Sequence, residues 1–200
     1  HKEGALLVMA SAGSGKTRVL TERIKELLKN DAEKFHVLAL TFTNKAAEEL
    51  KERLSEVKNI EKRAFVGTFH SFCLEVIQSH GYAINKSVQP HIFEKNEDRL
   101  NLLIQVFEKP ENWDLRKHYE NKKTTKDQQL FINNALTYIS KKKKQLKGIE
   151  KFDFLDNDSE KELIQKMYRE YNDLLKIQNA MDFDDVLIYA YQIFSDRPSI

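Results

Sequence analysis

Gly4-Ala5-Leu6-Leu7-Val8-Met9-Ala10-Ser11-Ala12-Gly13-Ser14-Gly15-Lys16-Thr17 is the stretch that decides the fold. Gly4 to Met9 is a continuous apolar run, the pattern of a short strand buried in a parallel sheet. From Thr17 to Asn30, Leu20, Ile24, Leu27 and Leu28 share one helical face. Between them, Ala10 to Thr17 reads as a phosphate-binding loop. Its glycines let the backbone turn tightly enough for N–H groups to converge on phosphates. The following helix points the positive end of its dipole at the same place. In this pattern Lys16 reaches the β and γ phosphates of a nucleoside triphosphate, and the Thr17 hydroxyl ligates Mg²⁺. Ala10 stands where the pattern opens on glycine, a position alanine suits when φ is negative.

Composition bounds the rest. The 200 residues suffice for one good-sized domain or two small ones with real cores. A chain 40% hydrophobic and 32% charged is an ordinary soluble globular sequence. No apolar run approaches bilayer length and no signal peptide is visible, so no membrane partner is expected. Cys73 is the sole cysteine, which excludes an internal disulfide and suits a reducing cytoplasm. A net charge of +2 neither demands nor forbids nucleic acid, so local patches must decide. The start at His1-Lys2-Glu3 and the stop at Pro198-Ser199-Ile200 suggest a piece excised from a longer protein.

Working outward from the loop, strands and helices alternate. Phe35 to Phe42 is a second strand, and Asn44 to Val57 a helix burying Ala46, Ala47, Leu50, Leu54 and Val57. Ala64 to Gly67 is a third strand, and Ser71 to His80 a helix closed by Gly81 at its C-cap. Such spacing means parallel crossovers, with ligands bound beyond the carboxyl ends of the strands. The loops starting at Ala10, Thr41 and Gly67 then share one edge. Near Ser87-Val88-Gln89-Pro90 the texture changes, and no strand signal is seen as far as Asn179. Helices are expected around Leu100, Leu103, Ile104 and Phe107 (Asn96 as cap), and over Lys126–Lys147 with Leu130, Ala135, Leu136 and Ile139 inward. A third is expected to open on a Ser159–Glu162 capping box, with Leu163, Met167, Tyr171, Leu174 and Leu175 inward. Pro110–Thr125 and Gly148–Asp158 read as loops, and Asp184–Phe194 as a last helix.

Two of the edge loops carry similar chemistry. Phe42-Thr43-Asn44-Lys45 offers a ring that stacks on a base, polar groups for phosphate oxygens and a neutralising lysine. Thr68-Phe69-His70 repeats the theme. Taken singly, each also admits a plainer reading: Thr43 or Asn44 as N-cap, Phe42 and Phe72 as core residues, and Ser71 as a helix cap.

Taken together, Met9–Leu20, Thr41–Leu50, Thr68-Phe69-His70-Ser71-Phe72 and Asp182-Phe183-Asp184-Asp185-Val186-Leu187 resemble the amino-terminal part of a UvrD/Rep/PcrA-type superfamily 1 DNA helicase. The resemblance implies an α/β fold. A RecA-like P-loop NTPase subdomain 1A would occupy residues 1–88, with a parallel sheet. An all-helical insert, subdomain 1B, would occupy 89–179, and 180–200 would return to 1A, stopping before the Walker B strand. It implies ATP and Mg²⁺ as cofactors, held by Ala10, Ser11, Ala12, Gly13, Ser14, Gly15, Lys16, Thr17 and Arg18, the last toward the base or ribose. Lys16 and Thr17 are the catalytic residues it assigns, with Mg²⁺ on the Thr17 hydroxyl. Phe42, Thr43, Asn44, Lys45, Thr68, Phe69 and His70 would line the path of single-stranded DNA, near a single-strand/duplex junction. The whole protein would translocate 3′→5′. The stretch as given lacks the Mg²⁺-binding carboxylate pair and the second motor lobe, so by itself it is expected to be inactive.

Three other readings compete. A helicase subunit of an AddA/RecB-type helicase–nuclease shares the motifs but usually carries a longer insert. A P-loop small-molecule kinase would need a lid and a substrate pocket. A non-catalytic nucleic-acid-binding module would leave Lys16 dispensable. Asp182, Asp184 and Asp185 read as helix-start carboxylates rather than a metal site, because no apolar strand precedes them. Lys141 to Lys144 reads as a solvated helix face.

Overall fold

The computed structural model describes residues 4–11, 13–29, 36–86, 89–144 and 158–199. It falls into two compact units, His1–Phe72 and Cys73–Ile200. In the first, β1 (Val37–Thr41) and β2 (Ala64–Thr68) pair in parallel, Val37 opposite Ala64 and Thr41 opposite Thr68. Helix α1 (Lys16–Lys29) and helix α2 (Asn44–Leu54) pack with this ribbon, and α3 (Ile60–Arg63) leads into β2. The core is small: Ile24 and Leu28 of α1, Leu50 and Leu54 of α2, and Ala39 and Val66 of the strands. Arg63 donates from Nη1 to the Leu28 carbonyl at 2.8 Å, which sets the last turn of α1 at the amino edge of β2. Twelve residues back along the helix, roughly 18 Å at 1.5 Å per residue, stands Lys16. Helix α4 (Phe69–His80) follows β2 directly.

The second unit is mostly helical. It contains α5 (Asn96–Glu108), α6 (Trp113–Glu120), α7 (Thr125–Lys143), α8 (Asp158–Ile177) and α9 (Phe183–Asp196). Leu102, Leu103 and Val106 of α5 meet Leu115 of α6, Phe131 and Ile139 of α7, and Ile164, Met167 and Tyr171 of α8 in one buried cluster. Two short strands, β3 (His91–Phe93) and β4 (Ala180–Asp182), pair in parallel with Ile92 opposite Met181. The described residues are thus mixed α/β, with two small parallel ribbons and a majority of helix. Among the described residues no helix is long and apolar enough to cross a membrane.

Several expectations need correcting. Gly4 to Met9 is not a strand: it belongs to neither ribbon, and Leu7 and Met9 are 84% and 87% exposed. A strand exists only through a ladder partner, and neither ribbon supplies one here. Strands β3 and β4 lie where no strand was expected, and β4 ends on Asp182, at the start of the Asp182–Asp185 segment; three residues are too few for a period to show. Pro110–Thr125 is not a loop, because a 3-10 turn, Pro110–Asn112, leads into α6, which packs on its one buried residue, Leu115. Gly81 keeps no left-handed φ but opens a 3-10 turn, Gly81–Ile84, which Asn85 closes at φ 55°. Asn96 is the first residue of α5 rather than its cap, and the Lys95 N–H is held by the Asp98 carboxylate at 3.2 Å. Leu20 and Leu130 face solvent. Helix α8 begins at Asp158, so Ser159 lies in its first turn and Glu160 turns instead to Lys122 at 2.7 Å. The expected loop at 148–157 lies outside the described residues.

Candidate functional site

The loop before α1 turns on two glycines. Gly13 and Gly15 hold φ of 75° and 85°, left-handed values that side-chain-bearing residues rarely adopt. A Cβ on either would meet nothing within 4 Å, so conformation rather than crowding requires glycine, and the loop's face stays open to an incoming group. The Ser11 carbonyl accepts three donors: Ser14 N–H at 3.4 Å, the Ser14 hydroxyl at 2.7 Å and Lys16 Nζ at 2.5 Å. These are the donors a phosphate oxygen would draw. Lys16 opens α1 and Thr17 follows; Val19 N–H reaches the Gly15 carbonyl at 3.0 Å, so the first turn is tight. Ala10, Ser11 and Arg18 are exposed, Arg18 lining an open hollow beside Gly13, Ser14 and Gly15. Ala12 lies outside the described residues. A triphosphate with Mg²⁺ fits this donor set: an open turn, a cation and a hydroxyl on one helix N-terminus.

The other two loops leave neighbouring parallel strands at their carboxyl ends, one after Thr41 and one after Thr68. The Thr41 hydroxyl lies 3.3 Å from the Gly67 carbonyl, tying the two together. Thr43 is the N-cap of α2, its hydroxyl accepting Ala46 N–H at 3.2 Å, with Asn44 and Lys45 exposed on the first turn. Phe42 is 94% exposed, which removes its reading as a core residue. Beyond β2, Thr68 and Ser71 cap reciprocally: Thr68 Oγ1 accepts Ser71 N–H at 3.2 Å, and Ser71 Oγ accepts Thr68 N–H at 2.8 Å. Phe69 is 55% exposed and His70 half-buried. A Cβ on Gly67 would stand 2.7 Å from both the Phe65 ring and Ser71 Oγ, so glycine is required there by crowding. Phe42 and Phe69 therefore present two rings on loops held by adjacent strand ends.

The sequence reading missed a buried charge cluster in the second unit. Lys143, expected on a solvated face, is buried and donates to Asp182 at 2.9 Å and Asp185 at 2.7 Å. Asp182 caps α9, accepting Asp184 and Asp185 N–H at 3.1 and 3.0 Å, and also receives the Tyr171 hydroxyl at 2.9 Å. Arg99 approaches Asp182 and Asp184 at 3.9 Å each, and Lys144 lies 3.0 Å from Asp184. Burial raises the carboxyl of Asp182, but Lys143 and the hydrogen bonds outweigh it and hold the group below its ordinary value. Asp185 is pushed up, by burial and then by Asp182, against the pull of Lys143. Burial also pushes the Tyr189 hydroxyl up to about 12. One signal was available: Lys143 falls on the same helical stripe as Ala135 and Ile139. The carboxylates are thus committed to capping and to Lys143, and among the described residues no three or more His, Cys, Asp or Glu side chains are grouped so as to hold a metal ion.

Residues 1–200 match the UvrD/REP helicase N-terminal domain family. The chain is 33% identical over 198 residues to the ATP-dependent DNA helicase PcrA of Staphylococcus epidermidis, covering 98% of this chain and 25% of that protein. To the PcrA of Staphylococcus aureus it is 33% identical over 200 residues, 99% of this chain and 26% of that protein. The chain therefore spans about a quarter of the length of these curated relatives.

Proposed function

From the premise that this chain belongs to the UvrD/REP helicase N-terminal domain family, we propose that it is the ATP- and DNA-binding part of a 3′→5′ DNA helicase. The observation that carries the reading is the convergence of Lys16 Nζ, Ser14 Oγ and Ser14 N–H in an open glycine turn at the start of α1. In this reading Ala10 to Thr17 embraces the phosphates and Arg18 lies toward the base or ribose. Lys16 neutralises the β and γ phosphates, and Thr17 gives its hydroxyl to Mg²⁺. ATP supplies the energy of the motor. Phe42 and Phe69 stack on bases, while Thr43, Asn44, Lys45, Thr68 and His70 meet the backbone of single-stranded DNA at a junction. Residues 1–88 and 180–200 belong to a RecA-like subdomain 1A, and 89–179 form its helical insert 1B. Turnover needs groups beyond these residues, so the chain alone is inactive and the full-length helicase is the enzyme, acting in the cytoplasm.

The deciding experiment is steady-state ATP hydrolysis by the full-length protein, with and without a single-stranded DNA oligonucleotide. Strong stimulation by DNA is expected. Turnover indifferent to DNA, with phosphate passing to a small molecule, would sink the helicase reading in favour of a P-loop kinase.

Lys45 provides a narrower check. It is exposed beside the Thr43 cap, on the amino-terminal turn of α2. Lys45→Ala should weaken single-strand binding regardless of sequence. It should also flatten the plot of log affinity against log salt by about 0.7, the loss of one phosphate contact. An unchanged slope in a fluorescence-anisotropy titration removes Lys45 from the path.

A further inference from the structure

Taking the loops after β1 and β2 as the path of single-stranded DNA, the reading on which this step rests, we infer that Thr41 is a positioning residue for that path. Its one hydroxyl proton, shared between the Thr43 and Gly67 carbonyls, holds the loops that carry Phe42 and Phe69 in a fixed relation. Thr41 itself contacts no base or phosphate in this arrangement. The ladder of β1 and β2 stops at the pair Thr41–Thr68, and the two rings are the next residue on each strand. Parallel strands run about 4.8 Å apart, so the two backbones leave the ribbon side by side. From there they part. Phe42 leads to the Thr43 cap of α2, whereas Phe69 is already the first residue of α4.

Thr41 carries the connection past the end of the ladder. Its Oγ1 lies 3.1 Å from the Thr43 carbonyl, two residues on, and 3.3 Å from the Gly67 carbonyl, 26 residues on. A hydroxyl has one proton to give. Two acceptors on different loops therefore share it, and neither loop shifts without disturbing the bond to the other. Both acceptors are themselves held. The Thr43 carbonyl also takes Ala47 N–H at 3.1 Å in the first turn of α2, and Gly67 sits where a Cβ would stand 2.7 Å from Phe65 and Ser71. The donor is held as well, because Thr41 is half-buried and a β-branched side chain has few χ1 choices. A threonine often bonds its own backbone two residues on; the reach to a second strand is what that local bond does not supply. Phe42 is 94% exposed, so the backbone beneath it sets where its ring stands. Fixing two rings before DNA arrives lowers the ordering cost of stacking on both.

The test is made on the full-length protein with a fluorescein-labelled oligothymidylate. Thr41→Val removes the hydroxyl and keeps the branched shape. Binding by fluorescence anisotropy is expected to weaken by about 3- to 10-fold, the weight of one neutral hydrogen bond. The DNA concentration for half-maximal ATP turnover should rise by the same factor while the maximal rate holds. The salt slope should hold too, because no charge is lost. Thr41→Ser restores the donor and should recover most of the affinity. A double-mutant cycle with Phe69→Ala separates positioning from contact: with one ring gone there is no spacing to keep, so Thr41→Val should then cost little more. Additive losses overturn the inference by making Thr41 a direct DNA contact. Unchanged binding in Thr41→Val overturns it, as does a loss that Thr41→Ser leaves unrecovered. A lowered urea midpoint, or a variant that does not fold, overturns it by making Thr41 a residue of the fold. In each of these cases the wild type still binds DNA and the helicase reading stands; wild-type protein that binds no single-stranded DNA ends both.

Discussion

Lys16→Ala in the full-length protein lowers ATP turnover to background and weakens nucleotide binding by about 10- to 150-fold. The binding figure follows from removing one charge-assisted hydrogen bond, worth about 1.5–3 kcal/mol. In the loop Lys16 Nζ lies 2.5 Å from the Ser11 carbonyl, beside the Ser14 hydroxyl at 2.7 Å from the same oxygen. That carbonyl holds the ammonium at the mouth of the turn, ready to exchange one acceptor for a phosphate oxygen. Turnover should fall further than affinity, because a fixed cation does most where negative charge builds in the transition state. Titration with a fluorescent ATP analogue and single-turnover hydrolysis separate the two effects. Gly15→Ala is the companion variant. Its φ of 85° is unfavourable for alanine, and no neighbour within 4 Å stands in the way, so any loss there is one of loop conformation. Unchanged binding and turnover in Lys16→Ala would reduce the loop to an ordinary strand-to-helix turn.

Much of the first unit was legible because its signals are local. A glycine turn needing positive φ, a Thr43 cap, a five-residue apolar strand and an amphipathic helix each announce themselves within a few positions. Gly4 to Met9 failed for the opposite reason. Its letters are strand letters, but strand status comes from a ladder with a neighbouring strand, and neither ribbon extends to it. The ribbon of β3 and β4 escaped because three residues carry no period, and its partners are separated by nearly ninety positions. Phe42 and Phe69 show how identity alone misleads. A phenylalanine after a buried strand reads as core or as platform, and only its exposure decides. Lys143 is the inverse case: four lysines in a row suggest solvent, yet the third continues an apolar stripe and ends among carboxylates.

That lysine carries the second large effect. Lys143→Met should destabilise the helical unit by about 3–5 kcal/mol, the usual cost of stranding buried charge by deleting its partner. Methionine keeps the length and the apolar stem, so the loss reports charge rather than packing. The cluster also fixes how pH should act. Asp182 lies below its ordinary value, so its contribution is present above the unfolded value near pH 4 and is lost as pH falls through the folded one. Asp185 is shifted the other way. Its ionisation opposes folding, and the opposition disappears when it takes up a proton. In the wild type Lys143 offsets part of that opposition; in Lys143→Met only the Asp182 N–H, 3.1 Å from Asp185 Oδ2, still does. The stability gap between the two proteins should therefore be wider at pH 7 than at pH 5, where a larger share of Asp185 is protonated. Adding Asp185→Asn to Lys143→Met should recover part of the loss at pH 7. Asp182→Asn should not, because Asp182 also caps α9 and holds the Tyr171 hydroxyl. Urea denaturation followed by the helical signal at the two pH values measures all of this. A loss below about 1 kcal/mol, or a gap that ignores pH, would mean that α7 and the start of α9 are held by their apolar neighbours and that the lysine is incidental.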